Sequence, residues 1–210
     1  MNIIRKPFKY RQFNATFIII AVNAVFYLMT MRFPVLKAYL GLSVYGTIKF
    51  HYWWQLVTYM FIHGSFTHIL FNMLGLFFFG TMVERFLGSG EFLLIYFLCG
   101  ILDGAISLAV YFLTGQYYVN LIGASGALYS ILLVYSVIFP RSVISIWGVI
   151  PVPAPILIIA YAVIEFVSQF FGSDNVAHLT HLTGFAIAWL YLVVRMGIHP
   201  VKEWKKAYGK

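Results

Sequence analysis

The sequence predicts an all-α polytopic membrane protein: a six-transmembrane-helix bundle with one long, membrane-associated first outer loop. Three observations predict it. Of 210 residues, 62% are hydrophobic and only 10% are charged, where a soluble domain carries about 25% charge. The apolar residues fall into six runs of the length that a bilayer selects. The net charge of +8 is concentrated at the two ends of the chain, which is the pattern of cytoplasmic loops and tails facing anionic headgroups. Concentration beside apolar spans argues against nucleic acid as the partner. The single Cys99 lies in an apolar run, so neither a disulfide framework nor a cysteine metal site is expected.

The first span covers about 13–32 and follows Arg5, Lys6, Lys9 and Arg11. Its apolar core is too long for a signal peptide and no small-residue cleavage site follows, so it is expected to stay in the membrane. Residues 33–66 form the long connection, rich in Tyr45, Phe50, Tyr52, Trp53, Trp54, Tyr59 and Phe61. Such a segment belongs partly in the outer interface, where Trp and Tyr are favoured. The second span is about 67–84, the third 92–113 and the fourth 125–139. The fifth, about 150–170, opens on the "PVPAP" of Pro151 to Pro155, which fits a helix start. The sixth is about 178–195. Six spans put both termini in the cytoplasm. The inner segments then hold Arg5, Lys6, Lys9, Arg11, Arg85, Arg141, Arg195, Lys202, Lys205, Lys206 and Lys210, and the outer ones Arg32, Lys37 and Lys49. The expected organisation is a basic N-terminus over 1–12, a membrane domain over 13–195 and a basic tail over 196–210.

Helical rise places three polar groups at one depth. From Ser125 to Pro140–Arg141 the fourth span rises about 22–24 Å, against a hydrocarbon core of about 30 Å. If the arginine marks the inner face, Ser125 lies several Å below the outer one. From His181 to Arg195 the rise is about 21 Å, and from Asn72 to Arg85 about 20 Å. Intramembrane polar groups face the protein interior or a watery cavity. Convergence at one depth implies a single cavity open to the outer side, lined by the loop that precedes Ser125.

Within "NLIGASGALYS", Ser125 needs a base to become a nucleophile, and His181 is the available imidazole. Asp174 lies on the outer loop, and Asp103 and Glu165 lie on odd-numbered spans at a depth the sequence does not fix, so a Ser–His dyad is more economical than a triad. Gly123 and Gly126 allow unusual backbone angles and close approach. The helix start at Ser125 offers free N–H groups for an oxyanion. Tyr129, four residues on, shares the face of Ser125 and can pack on the His181 ring. In "HILFN", His68 and Asn72 share a face and read as side-chain oxyanion donors. Gly184 and Ala188 follow His181 as a small-residue strip that brings the sixth helix close to the fourth at Gly126.

"GASG" with Tyr129, "HILFN" on the second span and "HLTG" on the sixth resemble the rhomboid family of intramembrane serine proteases. The resemblance covers the chain from the first span to the sixth. It implies a rhomboid-like bundle in which Ser125 and His181 form the catalytic dyad, while His68, Asn72 and the Ser125 backbone hold the oxyanion. Gly123, Gly126, Tyr129 and Gly184 support them. It implies transmembrane protein substrates cut near the outer membrane boundary, no cofactor, a bacterial cytoplasmic membrane and a monomer sufficient for activity. "VERFLGSG", with Glu84, Arg85 and Gly88, is similar to the family's turn between spans two and three, where the charges are structural. Two features depart from the commoner pattern: Trp54-Gln55 stands where Trp-Arg is usual, and Gly184 with Ala188 where Gly-xxx-Gly is usual.

Other readings stay open on the residues alone. Ser125 could serve only packing. His178 and His181 could ligate a metal, but no third ligand is evident, and no metal site is expected. His63 and His178 read as structural. Asp103 and Glu165 could carry ions or protons as in a transporter, although helix–helix hydrogen bonding is the simpler role. A non-catalytic relative that binds membrane clients would be expected to lack the serine or the histidine. The Phe77–Phe79 and Trp53–Trp54 clusters read as lipid-facing or interfacial.

Overall fold

The computed structural model describes residues 5–146, 148–171 and 175–209. Asp174 and Lys210 lie outside the described residues. The principal helices are α1 (Ala15–Arg32), α2 (Phe66–Leu87), α3 (Ser89–Leu113), α4 (Ser125–Ile138), α5 (Ala154–Phe171), α6 (Asn175–Tyr191) and α7 (Pro200–Tyr208). α2 passes through a π-turn at Leu76–Gly80, and α6 continues into another at Leu192–Met196. The chain has the all-α fold of a polytopic membrane protein. Among the described residues, Ala15–Arg32, Phe66–Leu87, Ser89–Leu113 and His178–Met196 are long and apolar enough to cross a bilayer, and Ser125–Ile138 and Ala154–Gln169 are shorter apolar helices. The 14 residues of α4 rise about 21 Å. That is the shortness required if its first residue is sunk below one face of the membrane.

α4 is the central element. Gly126 to Leu128, Ser130 to Val134, Ser136 and Val137 are all buried, as befits a helix apolar on nearly every side. It packs against α2, α3, α5, α6 and α7. The closest approach is to α6, where a Cβ added at Gly184 would lie 2.4 Å from the Gly126 carbonyl oxygen. Ser130 Oγ donates to the carbonyls of Gly126 (3.1 Å) and Gly184 (2.8 Å), so the two backbones are bridged at the contact. The expected small-residue strip does this work, and Ala188 is fully buried one turn on.

The expected start of the fifth span is corrected. Ile150–Pro153 is a strand, β2, paired antiparallel with β1 (Val143–Ile146) in the register Val143↔Pro153 to Ile146↔Ile150. The helix begins only at Ala154. In a two-stranded hairpin both strands are edges, so Pro151 and Pro153 cost no ladder donor that a neighbour needs.

Polar contacts fix the ends of the bundle. The buried Glu84 carboxylate accepts from Ala15 N (2.6 Å), Thr16 N (2.9 Å) and Thr16 Oγ1 (2.7 Å), capping α1 from α2. Arg195 forks onto Glu91 at 2.7 and 3.0 Å, tying the end of α6 to α3. α7 docks under α4 through Trp204 Nε1 to the Ser136 carbonyl (3.0 Å) and Tyr208 Oη to the Pro140 carbonyl (2.6 Å). In the first loop, Gln55 is fully buried. Its Oε1 accepts from Ser43 N (3.2 Å) and Thr47 Oγ1 (3.1 Å), and its Nε2 donates to the carbonyls of Ala38 (3.3 Å) and Tyr39 (3.1 Å). A neutral amide thus cross-links the loop at the position where arginine is usual.

Candidate active site

Three helices and one loop converge on a cavity of about 1000 Å³ lined by Ser125, His181, His68, Asn72, Tyr129 and Gly123, among others. The loop wall is held by backbone. Leu121 and Leu42 exchange N–H···O bonds of 2.8 and 2.9 Å, and Gly123 N donates to the Tyr59 carbonyl at 3.0 Å. Gly123 has φ +121°, a conformation open to glycine, and a Cβ there would lie 2.7 Å from His68 Nε2. The chain then enters α4 at Ser125, whose first N–H groups have no acceptor within the helix.

α2 begins at Phe66, with Ser65 Oγ accepting from His68 N at 3.1 Å. His68 Nδ1 accepts from Gly64 N (3.4 Å), which leaves the ring proton on Nε2, the atom facing Gly123. Asn72 Nδ2 donates to the His68 carbonyl at 2.8 Å. Its buried Oδ1 has no partner among the described residues.

On α6, the His181 ring lies flat on Tyr129, with centroids 4.0 Å apart and planes 7° from parallel. Ser125 Oγ and the ring share the cavity without a hydrogen bond between them among the described residues. Such contacts are often long before substrate binds. Nδ1 of His181 is instead committed to Glu165 Oε1 on α5, at 2.8 Å. The same carboxylate receives Tyr129 Oη at Oε1 (2.6 Å) and meets His178 Nδ1 at Oε2 (2.5 Å). Glu165, whose depth the sequence leaves open, thus reaches the level of the imidazole. His178 and His181 also gain a carboxylate neighbour, the donor atoms of all three residues lying within 4.8 Å of one another. The carboxylate contacts to the imidazoles, 2.5 and 2.8 Å, are those of hydrogen bonds. Ligands of a shared tetrahedral zinc would stand about 3.3 Å apart.

A family model described as the rhomboid domain matches residues 51–197. The chain belongs to the rhomboid family. It is 34% identical over 140 residues to the rhomboid protein YdcA of Bacillus subtilis, covering 66% of this chain and 65% of that one. It is 32% identical over 147 residues to the mitochondrial RHOMBOID-like protein 12 of Arabidopsis thaliana, covering 63% of this chain and 44% of that one. It is 42% identical over 80 residues to the rhomboid protease GluP of Bacillus subtilis, covering 38% of this chain and 15% of that one. The chain thus spans less than two thirds of the length of these relatives.

Among the residues singled out in this rhomboid sequence, Ser125, His181, His68, Asn72, Tyr129 and Gly123 share the cavity. Gly126 and Gly184 stand behind it at the α4–α6 contact. His63 packs its ring edgewise on His68, centroids 4.9 Å apart. Asp103 is fully buried and accepts from Thr183 Oγ1 of α6, the helix–helix role expected of it. Glu165 was the residue whose placement was missed. A signal existed: Glu165 is six residues before the end of α5 and His181 six after the start of α6, each a rise of about 9 Å. The depth argument applied to the even spans finds the pair when extended to the fifth.

Proposed function

We propose that the chain is an intramembrane serine endopeptidase that cuts transmembrane segments of membrane proteins with a Ser125–His181 dyad. One observation carries the reading. A serine at a helix start, an imidazole stacked on a tyrosine and an Nε2–H donor beside Gly123 open on one cavity inside an apolar bundle. A substrate segment unwinds locally to present its carbonyl, because a helical peptide bond is shielded by its own hydrogen bonds. Ser125 Oγ bonds to the carbonyl carbon as its proton passes to His181 Nε2. The oxyanion is held by the Ser125 N–H with His68 and Asn72. The C–N bond then breaks, His181 Nε2 gives its proton to the leaving amine, and water cleaves the ester by the reverse proton path.

The sidedness follows from charge. With eleven of the fourteen Lys and Arg on inner segments, both termini face the cytoplasm and the cavity opens outward. A bacterial cytoplasmic membrane is the setting this fits, with single-span proteins as substrates and a monomer sufficient for the chemistry.

The test is fluorophosphonate labelling of the detergent-purified protein. Labelling lost in Ser125→Ala and His181→Ala, and indifferent to chelators, is the expected result. No labelling of the wild type, with ion flux abolished by Asp103→Asn, would assign the chain to transport. No labelling and no flux, with membrane clients retained, would make it a binding protein.

A further inference from the structure

We propose that Glu165 is a positioning residue for the proposed base: it holds His181 Nδ1–H so that Nε2 faces Ser125, and its negative charge stabilises the imidazolium formed when Nε2 takes the serine proton. This rests on the serine-protease reading and adds a third group to it. The geometry carries the inference. Glu165 Oε1 lies 2.8 Å from His181 Nδ1. An imidazole with Nδ1 bonded to a carboxylate must carry its Nδ1 proton, because an ionised carboxylate can only accept. Nε2 is then the bare, basic nitrogen, which is the tautomer that general-base catalysis needs.

The carboxylate itself is fixed from three directions. Tyr129 Oη donates to Oε1 at 2.6 Å and His178 Nδ1 meets Oε2 at 2.5 Å. With His181, that makes three partners for the two oxygens of one side chain. Tyr129 has a double role: its hydroxyl anchors Glu165 and its ring face lies on His181. The imidazole is therefore gripped on its edge by a charge and on its face by an aromatic plane. Both constraints restrict rotation of the side chain and leave Nε2 as the uncommitted nitrogen of a ring that lines the cavity. The arrangement also spreads the catalytic apparatus over three helices. The hydroxyl comes from α4, the imidazole from α6 and the carboxylate from α5. Proper tautomer and orientation then exist only while α5 is docked against α6, which makes the seating of α5 a condition of the chemistry. The proton balance is unchanged by the third group. The proton leaves Ser125 Oγ for Nε2, the Nδ1 proton stays on the ring, and Glu165 remains a carboxylate throughout.

The experiment uses the full-length protein in detergent, with Glu165→Gln, which keeps the shape and one acceptor oxygen but loses the charge, and Glu165→Leu, which loses both. Fluorophosphonate labelling rates and turnover of a transmembrane peptide are measured, with Ser125→Ala as the blank. The expected result is a fall in labelling rate and kcat of at least about 100-fold, larger in Glu165→Leu, with KM within about twofold and the melting temperature of Glu165→Gln close to wild type. In histidine-labelled protein, the strongly deshielded ring N–H resonance that His181→Gln removes should also disappear from Glu165→Gln. Wild-type labelling in both variants while Ser125→Ala is silent would overturn the inference and leave the protease intact. Parallel losses of kcat, KM and melting temperature would assign Glu165 to helix packing and overturn it equally. A wild-type rate that responds to added Zn²⁺ or to a chelator, where Glu165→Gln does not, would make the cluster a metal site instead. A wild type that never labels would remove the protease reading on which the inference rests.

Discussion

At Gly123 the backbone and a side chain make demands that only glycine meets. Its φ of +121° is strained for any residue with a Cβ, and the space that a Cβ would fill is occupied by His68 Nε2 at 2.7 Å. Alanine at this position must push the loop or the imidazole aside. The backbone term costs about 1–3 kcal/mol, and the displaced ring is the proposed oxyanion donor. Gly123→Ala should therefore lower the fluorophosphonate labelling rate on the order of 10–100-fold, while the purified protein still melts cooperatively only a few degrees lower. A variant that labels at the wild-type rate would show that neither φ nor the His68 contact matters. That Gly123, Ser125, Tyr129, His68, Asn72 and His181 would line one cavity was legible from "GASG", "HILFN" and "HLTG". The Glu165 contact is fainter, because an intramembrane acid announces that it has a partner without saying which, and only a comparison of its depth with that of His181 picks the partner out. The partner became visible only once two helices of similar insertion depth were placed side by side.

At the scale of elements, two contacts decide how the helices seat. The α4–α6 seam is closed at Gly184, where any Cβ would sit 2.4 Å from the Gly126 carbonyl oxygen. Gly184→Val must separate the helices and break the Ser130 bond to the Gly184 carbonyl, while its bond to Gly126 lies within α4. Overpacking of this kind costs about 1–3 kcal/mol, and the lost hydrogen bond about 1 kcal/mol, so a marked fall in thermal midpoint in detergent is expected. An unchanged midpoint would mean that the seam is loose. At the other end of the bundle, Glu84 caps α1 through Ala15 N, Thr16 N and Thr16 Oγ1. Glu84→Ala strips those donors and should destabilise by about 1–2 kcal/mol, visible as faster exchange of the α1 amides before the rest of the protein unfolds. Uniform exchange across α1 and α4 would argue against a local cap. Among the described residues, the apolar helices α1 to α6 were readable in order because each is an apolar run bounded by charge, loop or proline. The β1–β2 hairpin was not, since a "PVPAP" run suits a helix start and an edge strand equally well. Nor was α7, whose "PVKEWKKAY" is too polar to signal a span and shows its purpose only when Trp204 is seen against α4.

At the scale of the whole molecule, a cavity that gathers Ser125, His181, His68 and Asn72 lies inside an apolar bundle, and the proposed function requires it to open to the outer side. The shortness of α4, 14 residues rising about 21 Å, would sink Ser125 below one membrane face on the proposed topology. On the proposed topology, the excess of cations on inner segments would make that face the outer one. The chain supplies its own control for testing this, because its single cysteine, Cys99, is fully buried in α3, and buried thiols are inert to polar reagents. Ser125→Cys therefore puts one reactive thiol in the cavity against a silent background. A membrane-impermeant sulfonated maleimide should label it in right-side-out vesicles and leave it untouched in inside-out ones, while the parent chain is unlabelled in both. Opening the fold with denaturant should then expose Cys99 in both proteins, giving two labels in the variant and one in the parent. Labelling from the inner side would reverse the orientation that the charges imply. No labelling from either side before denaturation would mean that water does not reach position 125, and a hydrolase there could not release its acyl intermediate. The experiment thus reads depth, sidedness and hydration together, and those are the three properties that turn a serine inside a hydrophobic bundle into a usable nucleophile.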